Sequence, residues 1–261
     1  VGNATIAGKL LLCDRLWHNG GYTITSTSSQ GLTITAASWA ATGGGQITLT
    51  TNVAHGMAVG ANFAVAGVTP SGYNGNYVSI TGTTGSTIVA AQVVNPGSYV
   101  SGGTVAATWP ARDVNGGANG VGVLLGLEVS SAAGAAAPTT TSFTYTNSSG
   151  VGSRTGSFAY LPANSPAAGS FFPVALQSGD VGVQSLQSLT LNTSWLSGTM
   201  NMVAYRVIAS LEISGALVAN SIDLVTGGMS QMFNGSVPFL IFIPSATTAS
   251  YVNGTFNVTQ G

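Results

Sequence analysis

Five Lys or Arg, six Asp or Glu, two histidines and one cysteine are all that this 261-residue chain offers to acid–base, nucleophilic or metal chemistry. With His18 and His55 alone, a three-histidine metal site cannot form within one chain, and a mixed site would need carboxylates that residues 40–108 lack. A hydrolase triad would have to combine His18, Asp14 and one of many serines, and no Gly-x-Ser-x-Gly elbow supports it. The alternative for Asp14-Arg15-Leu16-Trp17-His18-Asn19 is a polar turn that anchors the first strand. Glycoside cleavage would need two of Asp14, Asp113, Glu128, Asp180, Glu212 and Asp223 facing each other across a cleft. Arg112-Asp113 and Gly179-Asp180 instead have the form of ion pairs or turn caps. Cys13 can make no intrachain disulfide and reads as a small core residue. No phosphate loop or dinucleotide fingerprint is present. The expectation is a protein that is not an enzyme and that holds no cofactor and no metal.

Charged residues are 4% of the chain, and none occurs between Arg15 and Arg112. The surface must therefore be covered by Ser, Thr, Asn, Gln and Gly, which solvate without charge. An apolar fraction of 44%, a mean hydropathy of +0.39 and a net charge of −1 exclude disorder and supply a sizeable core. A free particle with so few charges has little like-charge repulsion to hold it apart from its copies. Permanent assembly fits this composition, and so does a secreted β protein with a Thr/Ser coat. Five scattered basic residues cannot neutralise a run of phosphates or an anionic bilayer, so neither nucleic acid nor membrane is expected as a partner. The densest apolar run, Val237 to Ile243, is far short of a membrane span.

Alternation dominates the pattern. In Val121 to Val129 the odd positions are Val or Leu, as a half-buried strand requires. Similar runs occur at Ser142–Thr146, Ser185–Trp195, Thr199–Ser210, Val237–Ile243 and Tyr251–Val258, separated by Gly, Ser and Asn turns. Thr199 to Ile208 is apolar on both faces and reads as a central strand. Ala216 to Met229 is the one helix candidate. These elements predict an all-β fold, a β-sandwich of the jelly-roll kind. Ala36-Ala37-Ser38-Trp39 and Ala106-Ala107-Thr108-Trp109 are near copies that bracket a charge-free segment. That arrangement predicts a small domain, residues 40–108, a compact β-barrel or sandwich inserted into a host formed by 1–39 and 109–261. Its strands are expected at Gln46–Thr51, Asn62–Ala66, Tyr77–Thr81 and Thr87–Gln92.

Aromatic and apolar clusters are the remaining means of binding. Tyr73 and Tyr77 either form a stacking surface for a sugar on a projecting loop, or one of them closes the barrel's core. Phe171-Phe172-Pro173 and Pro238-Phe239-Leu240-Ile241 carry more apolar area than one strand face needs. Phe171, Phe172, Phe239 and Ile241 therefore either contact a neighbouring subunit or pack in their own core.

The host-domain words Cys13-Asp14-Arg15-Leu16-Trp17-His18-Asn19, Trp109-Pro110-Ala111-Arg112-Asp113, Tyr145-Thr146-Asn147-Ser148, Gly152-Ser153-Arg154-Thr155-Gly156, Leu176-Gln177-Ser178-Gly179-Asp180-Val181-Gly182-Val183 and Pro238-Phe239-Leu240 together resemble virion structural proteins of tailed bacteriophages. Within the insert, His55-Gly56-Met57-Ala58-Val59-Gly60, Val65-Ala66-Gly67-Val68-Thr69-Pro70 and Tyr73-Asn74-Gly75-Asn76-Tyr77 resemble a small β-barrel repeat common on phage tails and head surfaces. The resemblance implies a capsid decoration, or cement, protein on the outer surface of the virion's capsid. Its partners would be the major capsid protein and further copies of itself, a trimer by family habit. A tail, neck or fibre component, or a glycan-binding adhesin acting through the insert, are the alternatives it leaves.

Overall fold

The computed structural model describes residues 7–20, 22–136, 138, 140–160, 164–215, 220–223 and 227–245. Fifteen strands form an antiparallel hydrogen-bonded network whose overall strand order is open, an all-β architecture consistent with a β-sandwich. No helix among the described residues is long and apolar enough to cross a membrane. The chain divides into two compact units, one of residues 1–14 with 207–261 and the other of residues 15–206.

In the smaller unit, the first part of β1 (Gly8–His18) pairs with β15 (Pro238–Pro244) in unbroken register from Gly8↔Pro244 to Asp14↔Pro238. Of the helix predicted over Ala216–Met229, residues 216–219 and 224–226 lie outside the described residues, Asn220 to Asp223 is not helical, and Gly227 is helical, its N–H donating to the Asp223 carbonyl (2.9 Å). Asn220 instead turns its amide back to the Glu212 carbonyl (2.8 Å). Asparagine side chains that bond nearby backbone compete with helix in this way. The strand predicted over Tyr251–Val258 also lies outside the described residues.

The larger unit contains β2 (Tyr22–Thr23), β3 (Leu32–Ala40), β4 (Gln46–Thr51), β5 (Asn62–Thr69), β6 (Gly75–Val78), β7 (Thr87–Ala91), β8 (Ser101–Ala107), β9 (Val123–Ser131), β10 (Thr141–Asn147), β11 (Arg154–Phe158), β12 (Phe171–Ala175), β13 (Val183–Leu191) and the first half of β14 (Thr199–Ile213). Its hydrogen-bonded order runs β14-β9-β12-β11-β10-β13-β8-β3-β4-β7. Met202 to Tyr205 is buried without alternation, as the two-faced apolar pattern of β14 requires. Phe143, Phe158, Phe172 and Trp195 form an aromatic cluster with ring centroids 5.7–6.1 Å apart. Each large side chain fully buried there contributes about 1.5–3 kcal/mol.

Residues 40–108 lie within this larger unit, and their strands join β3 in a ring of pairings. The ring runs β3-β4-β7, crosses to the strand following β6 through the bridge Ser79↔Ala90, and returns by β6-β5-β8 to β3. Ile34, Ile47, Leu49, Phe63, Val65 and Ile88 fill its interior. The chain enters the ring on β3 and leaves it on β8, and these two strands are hydrogen-bonded neighbours at Leu32↔Val105 and Thr33↔Thr104. The predicted strand Gln46–Thr51 coincides with β4.

Candidate functional site

The scarce ionisable side chains are largely turned inward. Asp113 is 1% exposed, and its carboxylate accepts four backbone N–H groups: Asn115 (2.9 Å) and Gly117 (2.7 Å) on one oxygen, Gly120 (3.1 Å) and Val121 (3.3 Å) on the other. It holds the loop that enters β9. Asp180 does the same work at the turn before β13: its carboxylate accepts from Arg154 Nε (2.9 Å), the Tyr145 hydroxyl (2.6 Å) and the Asn147 amide (2.7 Å). The Arg154 guanidinium, followed by the Tyr145 and Asn147 hydrogen bonds, holds the Asp180 carboxyl well down, at about 2. Burial and then the neighbouring carboxylate push the Tyr145 hydroxyl up to about 12.

Asp14 is fully buried within β1, where it accepts from the Ser236 hydroxyl (2.9 Å) and the Val237 N–H (2.8 Å) and so fixes the turn into β15. Asp14 to His18 therefore belongs to the strand itself rather than to a polar turn beside it, and the adjacent Leu16 and Trp17 are both buried, as in a strand covered on both faces. Arg206 is also fully buried. Lys9 and Glu212 form an exposed pair at 3.2 Å. Among the described residues, no three His, Cys, Asp or Glu side chains gather as a metal site would need.

His55 is 1% exposed and bound on both ring nitrogens. Nδ1 accepts the Met57 N–H (3.0 Å), so the proton sits on Nε2, which donates to the Thr87 carbonyl (3.1 Å). Burial lowers its pKa and keeps it neutral. Its own carbonyl accepts the Trp17 indole N–H (2.9 Å). Gly56 follows at φ +66°, where a β-carbon would lie 1.6 Å from the His18 carbonyl oxygen, so only glycine allows this approach. The histidine is a structural post. Cys13 is equally withdrawn, since burial pushes its thiol up to about 12 and leaves no thiolate nucleophile near neutral pH.

Tyr73 and Tyr77 come together, but as part of the barrel's interior. Tyr73 is 0% exposed and its hydroxyl donates to the Gly97 carbonyl (2.8 Å). Tyr77 is half-buried, stacks on Phe63 at 5.6 Å, and donates its hydroxyl to the Tyr73 carbonyl (2.9 Å). Tyr73 thus presents no ring to a surface ligand, which corrects the sugar-stacking pair. Tyr77 also lines an open groove of about 390 Å³ with Asn62, Asn76, Val78 and Thr108, and no carboxylate, histidine, lysine or arginine is among its lining residues.

The expected subunit-contact residues are similarly engaged at home. Phe171 packs edge-on against Tyr205 (5.3 Å), its ring occupying the space a β-carbon on Gly126 would fill. Phe172 stacks on Trp195 (5.8 Å). Ile241 is 6% exposed and Phe239 is half-buried; on β15 it is Leu240, at 62%, that faces out. The apolar side chains presented to solvent are instead mostly valines in loops, among them Val93, Val94, Val100 and Val181. A signal for the first two existed in the sequence: Val93-Val94 falls after the predicted strand Thr87–Gln92 and directly before the Asn95-Pro96-Gly97 turn, where apolar residues have no core to enter. No known protein family, curated protein or solved structure matches the chain.

Proposed function

We propose that this chain is a structural protein of a tailed-bacteriophage particle, a capsid decoration protein that binds the outside of the major capsid lattice and stabilises the head as an oligomer. One observation carries the reading: charge is scarce, and part of it is spent inside the fold. Asp14, Asp113 and Arg206 are buried and Asp180 is tied to Arg154, so that among the described residues the exterior carries few charges, the Lys9–Glu212 pair among them, beside exposed valines. Such a surface suits permanent contact through packing and backbone hydrogen bonds, and supplies no catalytic constellation. The host-domain words that resemble phage virion proteins include Asp14, Asp113 and Asp180, the residues that brace these loops.

Locating the chain in an imaged particle tests this reading. Copies on the order of hundreds on the shell support decoration, whereas about a dozen or fewer on the tail axis would replace it with a tail or neck component. The adhesin alternative is weakened by the burial of Tyr73.

A further inference from the structure

The three most exposed large apolar side chains among the described residues are Val93 at 79%, Val94 at 73% and Val100 at 70%. All three sit on the single loop between β7 and β8. That loop is held in place rather than left loose. The Trp39 indole N–H donates to the Gln92 carbonyl (2.7 Å), the Gln92 amide to the Gly72 carbonyl (3.0 Å), and the Tyr73 hydroxyl to the Gly97 carbonyl (2.8 Å). The Asn95 side chain accepts the Gly97 N–H (2.9 Å), and the Val100 N–H donates to the Thr69 carbonyl (2.9 Å). Two tryptophan and tyrosine side chains, both drawn from the barrel, are thus committed to displaying valines in water.

Holding apolar groups rigidly in solvent forgoes about 25 cal/mol for every Å² that could have been buried. A rigid apolar tip of this kind is the pre-organised centre of a contact. We propose that the valine loop is where copies of this chain meet, barrel against barrel. The charge pattern selects the occupant. No Asp, Glu, Lys or Arg occurs from Leu16 to Ala111, so two identical barrels can face each other with no like charges opposed. A charged partner would lose hydration against a surface with nothing to return. Elsewhere on the barrel Val59 at 58% and Val78 at 49% are also exposed. A stable contact needs about 800 Å² from each partner. The valines form its apolar centre and the neutral residues its rim.

This names a surface for the self-association in the reading above, but it is tested on the purified chain without any particle. Light scattering coupled to size exclusion across the micromolar range compares the native chain with V93E/V94E, with far-UV circular dichroism and melting as the check on folding. The native chain is expected to be oligomeric at about 0.1 M and about 1 M salt alike. V93E/V94E is expected to dissociate at least about 100-fold more readily with unchanged far-UV circular dichroism, because each glutamate would be buried without a partner. V93S/V94S, which adds no charge, is expected to weaken association less, and it decides the matter should the glutamates disturb folding. A native chain that stays monomeric, or substituted chains that associate like the native one, would overturn the proposal. Loss of capsid binding by V93E/V94E with oligomers intact would overturn it too, assigning the loop to the shell. None of these results alters where imaging places the chain.

Discussion

Replacing Asp113 with Asn removes half of one buried acceptor and nothing else in size or shape. The native carboxylate serves two backbone N–H groups on each oxygen, at 2.7–3.3 Å, from a position that is 1% exposed. An amide keeps one oxygen, so it can satisfy the Asn115 and Gly117 pair or the Gly120 and Val121 pair, and its NH2 then opposes the other two donors. Two N–H groups left without an acceptor cost about 1–3 kcal/mol each, a total of about 2–6 kcal/mol. The loop cannot relax easily to find water, because a β-carbon at Gly120 would already lie 1.9 Å from the Val183 carbonyl oxygen, so backbone meets backbone there. For a unit of this size each kcal/mol lowers the melting temperature by about 2–4 °C, which predicts a fall of about 4–24 °C. Calorimetry and urea unfolding of D113N against the native chain measure it. E212Q serves as the comparison, since Glu212 pairs with Lys9 in solvent and its loss is expected to cost less than about 1 kcal/mol. If D113N unfolds within about 0.5 kcal/mol of the native chain, the claim that this carboxylate braces the loop is wrong.

Two further substitutions probe the same use of polar groups. His55 is held neutral by burial, so its folded pKa lies below its ordinary 6.5 and the folded state binds fewer protons there than the unfolded. Its contribution is therefore fully present above about pH 6.5 and is lost as the pH falls below it; H55N, which keeps an acceptor for the Met57 N–H, should flatten that part of a stability–pH curve. Tyr145→Phe deletes a hydroxyl that donates to Asp180 and accepts the Gln177 N–H (2.8 Å), and is expected to cost about 1–3 kcal/mol. Asp180 contributes above its ordinary 3.8 and loses that contribution as the pH falls toward 2; in Y145F its carboxyl should titrate higher, as NMR of the side-chain carbon would show.

Much of the fold is legible because strand burial has a period of two. Gln46–Thr51 is read residue for residue, and the two-faced pattern of Thr199–Ile208 foretells a strand covered on both sides. Partner choice is not legible in the same way. Nothing local says that the Phe171 ring will fill the vacancy above Gly126, or that β11 and β12 will pair, since those contacts join residues far apart in sequence. The Tyr73-x-x-x-Tyr77 spacing leaves open a stacking surface or a core cap, and does not show that each hydroxyl donates to a backbone carbonyl inside the barrel. The acidic residues beside glycine turns were correctly suggestive: Asp113 and Asp180 both hold turns. The valine loop shows in the sequence as β-branched residues where a turn belongs, but its rigidity comes from Trp39 and Tyr73, which only the fold brings to it.

The central claim is the proposal that this protein, poor in charge and with Asp14, Asp113 and Asp180 turned inward, would meet its neighbours through neutral contacts. Rebinding of the purified chain to capsids stripped of it, followed from about 0.1 M to about 1 M salt, tests that claim most directly, because the screening length falls from about 10 Å to about 3 Å over that range. The account predicts an affinity that stays level or rises slightly. Tight binding at low salt that is lost near molar salt would contradict it.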